Sequence, residues 1–294
     1  LIPEPFYPNY TTMTYTCGTT QHRVVDLIAP DGIMVNRIES LRTHAWDVEL
    51  AAHGIDSAAL NASTVQLEAK CADLTMLDTA SNLFDADIRA LASTGNRNKA
   101  GTITVDGWAQ AALITGIEPS QDLPNPAKYA LTVALLDGVW RKPADTQHFL
   151  PDELQSGLYL DYPYDYPYDY KAPTRGANAI NTTGAPMPFK MVIFGPCTNP
   201  SITIGGNRYE LTMTIPIGAY VTIDSQTGHK TITMTGINGG TTNVFDKATR
   251  GTGLDGGRYI FQPIPAGETN VQWNGFGWDL TIIMERSAPA WLTS

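Results

Sequence analysis

Gly251-Thr252-Gly253-Leu254-Asp255-Gly256 spells G-x-G-x-x-G. In a dinucleotide site this spacing lets backbone N–H groups and a helix dipole meet a pyrophosphate. That chemistry needs a strand before the motif and a helix after it. Here β-type pattern surrounds the motif and no helical period follows, so it reads as a glycine-rich loop between strands. Neither Gly-Lys-Ser/Thr nor Gly-x-Ser-x-Gly occurs, so no P-loop and no nucleophile elbow is written into the chain. The five histidines, His22, His44, His53, His148 and His229, show no ligand spacing. His44 and His53 can approach each other across a hairpin, but a metal site still wants a third ligand. Cys17, Cys71 and Cys197 are an odd, widely spaced set without Cys-x-x-Cys. Free, mostly buried thiols are expected from them, with no disulfide framework and no zinc. Neither a metal nor a cofactor is expected.

The other candidate chemistry is aromatic. Asp161 to Tyr170 is an Asp-Tyr-Pro-Tyr repeat with a period of four, holding five of the 13 tyrosines. Asp161, Asp165 and Asp169 lie on a strip that proline keeps extended, at roughly 3 Å per residue, so they cannot wrap one calcium ion. The strip reads as solvated or partner-facing. Tyr162, Tyr164, Tyr166 and Tyr168 are the candidates to pack on a protein surface or to stack on sugar rings. Trp273 and Trp278 flank a turn; core packing is one reading, and partial exposure with sugar stacking is the other. A glycosidase needs two carboxylates flanking a cleft, and no motif supports that. No enzyme is expected.

The elements that would position these residues change character along the chain. Residues 1–20, rich in Pro, Tyr and Thr, read as an extended arm. Val24–Ile28, Ile33–Val35 and Ala45–Leu50 read as strands, the last alternating apolar with polar. Leu77, Ala80, Phe84, Ile88 and Leu91 recur at helical spacing and predict an amphipathic helix from about Leu74 to Leu91. Asp73 or Thr75 can cap its start and Gly95 its end. Thr102–Trp108 and Ala127–Leu136 read as strands, and Asp137-Gly138 before Val139-Trp140-Arg141 predicts a hairpin. Residues 171–188 read as loop. From Phe189 onward short strands alternate with Gly-Gly and Asn-Gly turns: Phe189–Phe194, Ser201–Ile204, Tyr209–Ile215, Ala219–Ile223, Thr231–Met234, Tyr259–Gln262, Asn270–Trp273 and Trp278–Met284. Such a series predicts a β-sandwich.

The totals set bounds. A length of 294 residues with 43% hydrophobic content suits two domains, each with its own core. The net charge of −10 argues against wrapping nucleic acid, which needs clustered Lys and Arg. It is compatible with an acidic pore that lets DNA slide past. Charged residues are only 16%, a surface of the kind often covered by partners. No apolar run approaches the ~18 residues of a membrane span, and no basic-then-apolar signal opens the chain, so membrane insertion is not expected.

In this order the features resemble the distal tail protein family of long-tailed (siphovirus) bacteriophages. The matching residues run from Phe189-Lys190-Met191-Val192-Ile193-Phe194-Gly195 and Asn199-Pro200 through the turn Gly206-Asn207-Arg208-Tyr209. They continue with Gly218-Ala219-Tyr220-Val221-Thr222-Ile223-Asp224 and Asn243-Val244-Phe245, and close on Ile264-Pro265-Ala266-Gly267-Glu268-Thr269-Asn270-Val271-Gln272-Trp273-Asn274-Gly275. The Asp-Tyr-Pro-Tyr run has no counterpart in that pattern. The resemblance implies a mainly β protein with an α+β N-terminal domain. Residues 1–158 would be a belt domain, a β-layer or split barrel with one amphipathic helix; 159–188 a linker; and 189–294 a galectin-like β-sandwich. It further implies a homohexameric ring acting as baseplate hub between tail tube and tail tip. The tail tube, tape-measure and tip or fibre proteins would be its partners, with DNA only in transit through the lumen. Its place would be the virion tail tip, after assembly in the host cytoplasm. The alternative is a carbohydrate-binding β-sandwich module of a phage tail or cell-surface protein.

Overall fold

The computed structural model describes residues 11–36, 38–44, 46–119, 127–151 and 177–290. The Asp-Tyr-Pro-Tyr run and residues 1–10 lie outside them. The chain divides into two compact units, Leu1–Lys142 with Glu285–Ser294, and Pro143–Met284.

In the first unit the strand Met13–Thr16 pairs on one side with Val24–Asp26 and on the other with Gly101–Val105. The sheet then runs through Trp108–Pro119, Ala127–Leu135 and Ser63–Cys71 to Ile33–Val35, every pairing antiparallel. The backbone of Leu27 donates to Met13 and accepts from Val35, so the two ends of this sheet meet and it nearly closes on itself. Inward positions alternate along each strand: Met13 and Tyr15, Ile33 and Val35, Leu67, Ala69 and Cys71, Ile103 and Val105, Leu131 and Val133 are all buried. The second half of the expected arm is therefore a packed strand. Its Thr and Tyr content suits a pleated surface, and the Met13-x-Tyr15-x-Cys17 alternation places one apolar side chain inward at every second residue.

The helix spans Leu74–Thr94, one turn longer than the spacing predicts. Asp73 caps it, its carboxylate accepting from the N–H groups of Thr75 and Met76, and Gly95 ends it in the left-handed region at φ 62°. Leu77, Ala80 and Phe84 are buried as expected, and Asp87 is buried beside them on the same face. Phe84 meets Tyr15 edge-on at 5.1 Å between centroids. Gly101 makes room for that ring: a Cβ there would stand 2.1 Å from the Tyr15 hydroxyl.

The predicted hairpin at Asp137-Gly138 is not one. Ala127–Leu135 and Trp140–Pro143 both pair with Trp108–Pro119, so the turn carries the chain onward along that strand instead of reversing it. Arg97 and Arg141 hold the Asp137 carboxylate from two directions, and a Cβ on Gly138 would stand 2.4 Å from the Asn61 carbonyl oxygen. Long-range contacts, which residue type does not encode, select the turn geometry here.

The second unit is a two-sheet sandwich. Gln147–Phe149, Trp278–Arg286, Phe189–Phe194, Tyr220–Asp224, Thr231–Thr235 and Thr241–Asn243 pair in that order. The other sheet runs Ala177–Asn181, Gly267–Trp273, Ser201–Ile204, Asn207–Glu210. Inward residues of both sheets, among them Phe189, Met191, Ile202, Ile204, Val221, Ile223, Val271 and Leu280, form one core. Ala177–Asn181, expected to be loop, is an edge strand. Its small and polar residues hide the strand signal, yet Ala179 and Asn181 point inward and are buried.

The expected strand Tyr259–Gln262 is a turn. Ile260 and Phe261 plug the core from that turn, and the side-chain amide of Asn207 holds it by taking both backbone groups of Tyr259, each at 3.0 Å. The Tyr209 hydroxyl adds a bond to the Gln262 carbonyl at 2.7 Å. The turn Gly206-Asn207-Arg208-Tyr209 is thus a clamp on the plug. Asn207→Ala is expected to cost about 1–3 kcal/mol, because the peptide groups of Tyr259 lose their partner within the fold. Chemical denaturation of the full chain reads this out, and a change below about 0.5 kcal/mol would show that the clamp carries no weight.

Candidate functional site

A hairpin, Asp47–Ala51 with Gly54–Ala59, stands out from the sheet of the first unit. Among the described residues neither of its strands pairs with any other, and every one of its strand residues is exposed. The alternation expected to half-bury Ala45–Leu50 therefore faces no core of its own. Leu50 lies opposite Ile55 in register, and the two side chains are 80% and 65% exposed. No Lys or Arg occurs in the hairpin, which carries Asp47, Glu49 and Asp56. At its base opens a cavity of about 630 Å³, lined by Leu41, Trp46, Val65, Leu135 and Trp140 with Gln110. Gln110 is 3% exposed, and neither its Nε2 nor its Oε1 meets a hydrogen-bond partner among the described residues.

The second unit has a cleft of about 490 Å³ between the strand ends near Phe149, Phe194 and Trp278. His148 and Asp279, opposite each other in register, approach at 2.7 Å between Nδ1 and Oδ1. A cis Gly195–Pro196 bond shapes one wall. Among the described residues the lining holds no Ser, Thr, Cys or Lys, and the pair offers polar anchoring there.

The sequence candidates fall as follows. Tyr162, Tyr164, Tyr166 and Tyr168 lie outside the described residues. Trp278 is buried, its ring stacked on Phe149 at 4.0 Å, so it turns no face outward. The apolar strand that carries it brings it inward with Leu280 and Ile282. Trp273 is half-buried and meets Phe149 and Trp278 edge-on at 5.8 and 6.2 Å. These three rings are one packing cluster. His53 sits in the turn at the hairpin tip, whereas His44 Nδ1 pairs with Ser287 Oγ, so the structure does not bring these two histidines together. The glycine motif 251–256 is a run of turns with no helix behind it. Cys17, Cys71 and Cys197 are free, and burial pushes the Cys17 thiol up to about 11. Among the described residues no three His, Cys, Asp or Glu side chains group in a way that could hold a metal ion. Among them, too, no helix is long and apolar enough to cross a membrane.

Sequence reading did not single out Gln110 or Asp87. Each is a polar residue at a position where the period of its element calls for an apolar one, and that mismatch was the available signal.

The mainly β chain, with its almost closed sheet, one packed helix and a sandwich, has likenesses of fold among solved phage structures. The particular likeness is to distal tail, or Dit, proteins. The crystal structure of the SPP1 Dit protein, described as a paradigm of the hub adsorption apparatus in Gram-positive infecting phages, matches over 93% of this chain and 99% of its own. The TM-score is 0.52 and the identity 11%. A chain of the phage p2 baseplate in its activated conformation with Ca matches over 95% of this chain and 99% of its own, at TM-score 0.57 and 8% identity. The same baseplate with Sr gives the same values. No protein-family model and no curated protein matches the sequence. At these identities the likeness is one of fold.

Proposed function

We propose that the chain is a structural component of a phage tail, a distal tail protein that closes into a homohexameric ring. The ring acts as baseplate hub between the tail tube on one side and tip or fibre proteins on the other. The tape-measure protein and DNA pass its lumen, and the net charge of −10 suits a wall to which DNA does not stick. It works in the virion tail tip after assembly in the host cytoplasm. The observation that carries this reading is the coverage: both solved folds align over 99% of their own length. A belt domain followed by a galectin-like sandwich belongs to the same proposal, with Gln147–Phe149 and Ala177–Asn181 counted as strands of the sandwich rather than of belt and linker. A catalytic role gains no support from the His148–Asp279 cleft, and a sugar-stacking role for Trp278 lacks an exposed ring face. The test is gold-labelled antibody against the chain on intact virions. Label confined to the tail tip is expected; label along the whole tube, on the capsid or absent from particles would sink the reading.

A further inference from the structure

Two unsatisfied features of the first unit complement each other. One is the apolar knob formed by Leu50 and Ile55 on a hairpin whose strand edges are unpaired among the described residues. The other is the cavity at the hairpin base, where Gln110 is buried with both amide atoms unpartnered. A Gln amide holds a donor and an acceptor side by side. An extended strand edge presents the N–H and C=O of one residue in the same arrangement, so one incoming residue can satisfy both atoms while its apolar neighbours meet Leu41, Trp46 and Val65.

The chain's own hairpin cannot do this. Asp47 lines the cavity, and the knob stands about 10 Å further along the strands, leading away from it. A second copy can. We infer that the hairpin of one copy seats its Leu50–Ile55 knob and one strand edge in the Gln110 cavity of the next. The contact is heterologous: each copy gives a hairpin and receives one, so repetition closes a ring or runs on as a filament. The size of the parts agrees. The 11 strand residues of the hairpin fall short of the roughly 20–30 residues a side of a standard stable interface. One such contact is weak, and it becomes firm where every copy makes it twice. The inference deepens the ring reading and rests on it.

Sedimentation velocity on the full chain tests it with two variants at exposed positions. Leu50→Asp with Ile55→Asp disables the hairpin as donor, and Ala62→Trp fills the cavity as acceptor. Each variant alone is expected to weaken assembly at least tenfold while melting like the wild type. Mixed together at high concentration, the two retain one good hairpin and one good cavity between them, and this single contact gives a concentration-dependent dimer and nothing larger. Gln110→Leu, which removes the unpaired amide, is expected to raise the melting temperature of the monomer while weakening assembly. Variants that assemble as well as the wild type overturn the inference, as does a mixture without dimers or a wild type that stays monomeric at all concentrations. An N-acetylated sugar that fills the cavity and leaves assembly unchanged also overturns it. Tip labelling of virions is independent of these outcomes, so the hub reading can stand when this contact fails.

Discussion

Asp87→Ala is expected to lower the unfolding free energy by about 3–5 kcal/mol. Asp87 is fully buried in the helix Leu74–Thr94, and its carboxylate is the shared acceptor for four donors. The Tyr15 hydroxyl donates to it at 2.9 Å, the Gly18 and Thr19 N–H groups at 3.1 Å each, and the Thr19 hydroxyl completes the set. Alanine orphans the Gly18 and Thr19 N–H groups and leaves the two hydroxyls only long contacts, Tyr15 to the Ala112 carbonyl at 3.5 Å and Thr19 to the Thr20 hydroxyl at 3.4 Å; each buried donor left without a partner costs about 1–3 kcal/mol. Relief from burying a carboxylate offsets part of the sum, which is why the expectation sits below four full penalties. Asp87→Asn keeps the shape but turns an NH2 toward donors, so an intermediate loss of about 1–3 kcal/mol is expected. Urea denaturation at constant m-value is the measurement. A loss below 1 kcal/mol for the alanine variant would show that helix and loop are held by the Phe84–Tyr15 contact alone. Burial and the Asp87 charge both push the Tyr15 phenol above its ordinary range, so the donor keeps its proton throughout neutral pH.

The helix shows what a sequence makes legible and what it hides. Leu77, Ala80 and Phe84 declare a buried stripe through spacing alone, and Asp73 and Gly95 declare its ends, because caps and periods are local rules. Asp87 continues the same stripe at the next position, but a carboxylate there has meaning only once the loop 17–19 is known to arrive with its N–H groups free. Sandwich strands were legible for the same local reason, since Phe189, Met191 and Ile193 alternate with exposed or half-buried neighbours. Ala177–Asn181 and Asn207 were not: an edge strand of small residues and an amide that imitates a strand partner acquire their roles from segments far along the chain. The hairpin at Asp47–Ala59 is the sharpest case. Its alternation is the signature of a surface with one face covered, and among the described residues of this chain nothing covers it. A pattern written for a partner looks, in sequence, like a pattern written for a core.

Arg42→Ala is expected to cost a further large amount, about 3–5 kcal/mol. The guanidinium, 6% exposed, donates to the Asp106 carboxylate and to the carbonyl of Ala290, tying the returning segment after Arg286 to the sheet of the first unit. Asp106 sits in the tight turn between Gly101–Val105 and Trp108–Pro119 at φ 49°, and it also accepts from the Thr12 N–H at 2.8 Å. Removing the arginine leaves a carboxylate, itself 5% exposed, without its counter-charge; that uncompensated charge accounts for most of the loss. Lysine in its place keeps the charge but cannot reach two acceptors with one planar fork, so Arg42→Lys should recover only part. Asp106→Asn tolerates the left-handed backbone and still accepts from Thr12, so the pair Arg42→Met with Asp106→Asn removes both charges while preserving the turn. The double variant is therefore expected to be more stable than Arg42→Ala, and the coupling in a double-mutant cycle should exceed about 1 kcal/mol. Amide exchange supplies the independent readout. In Arg42→Ala the N–H groups of Ser287, Ala288 and Ala290 should exchange faster while those of Phe189–Phe194 in the second unit do not. Additive single effects, or unchanged exchange in that segment, would show that packing alone holds the returning strand end.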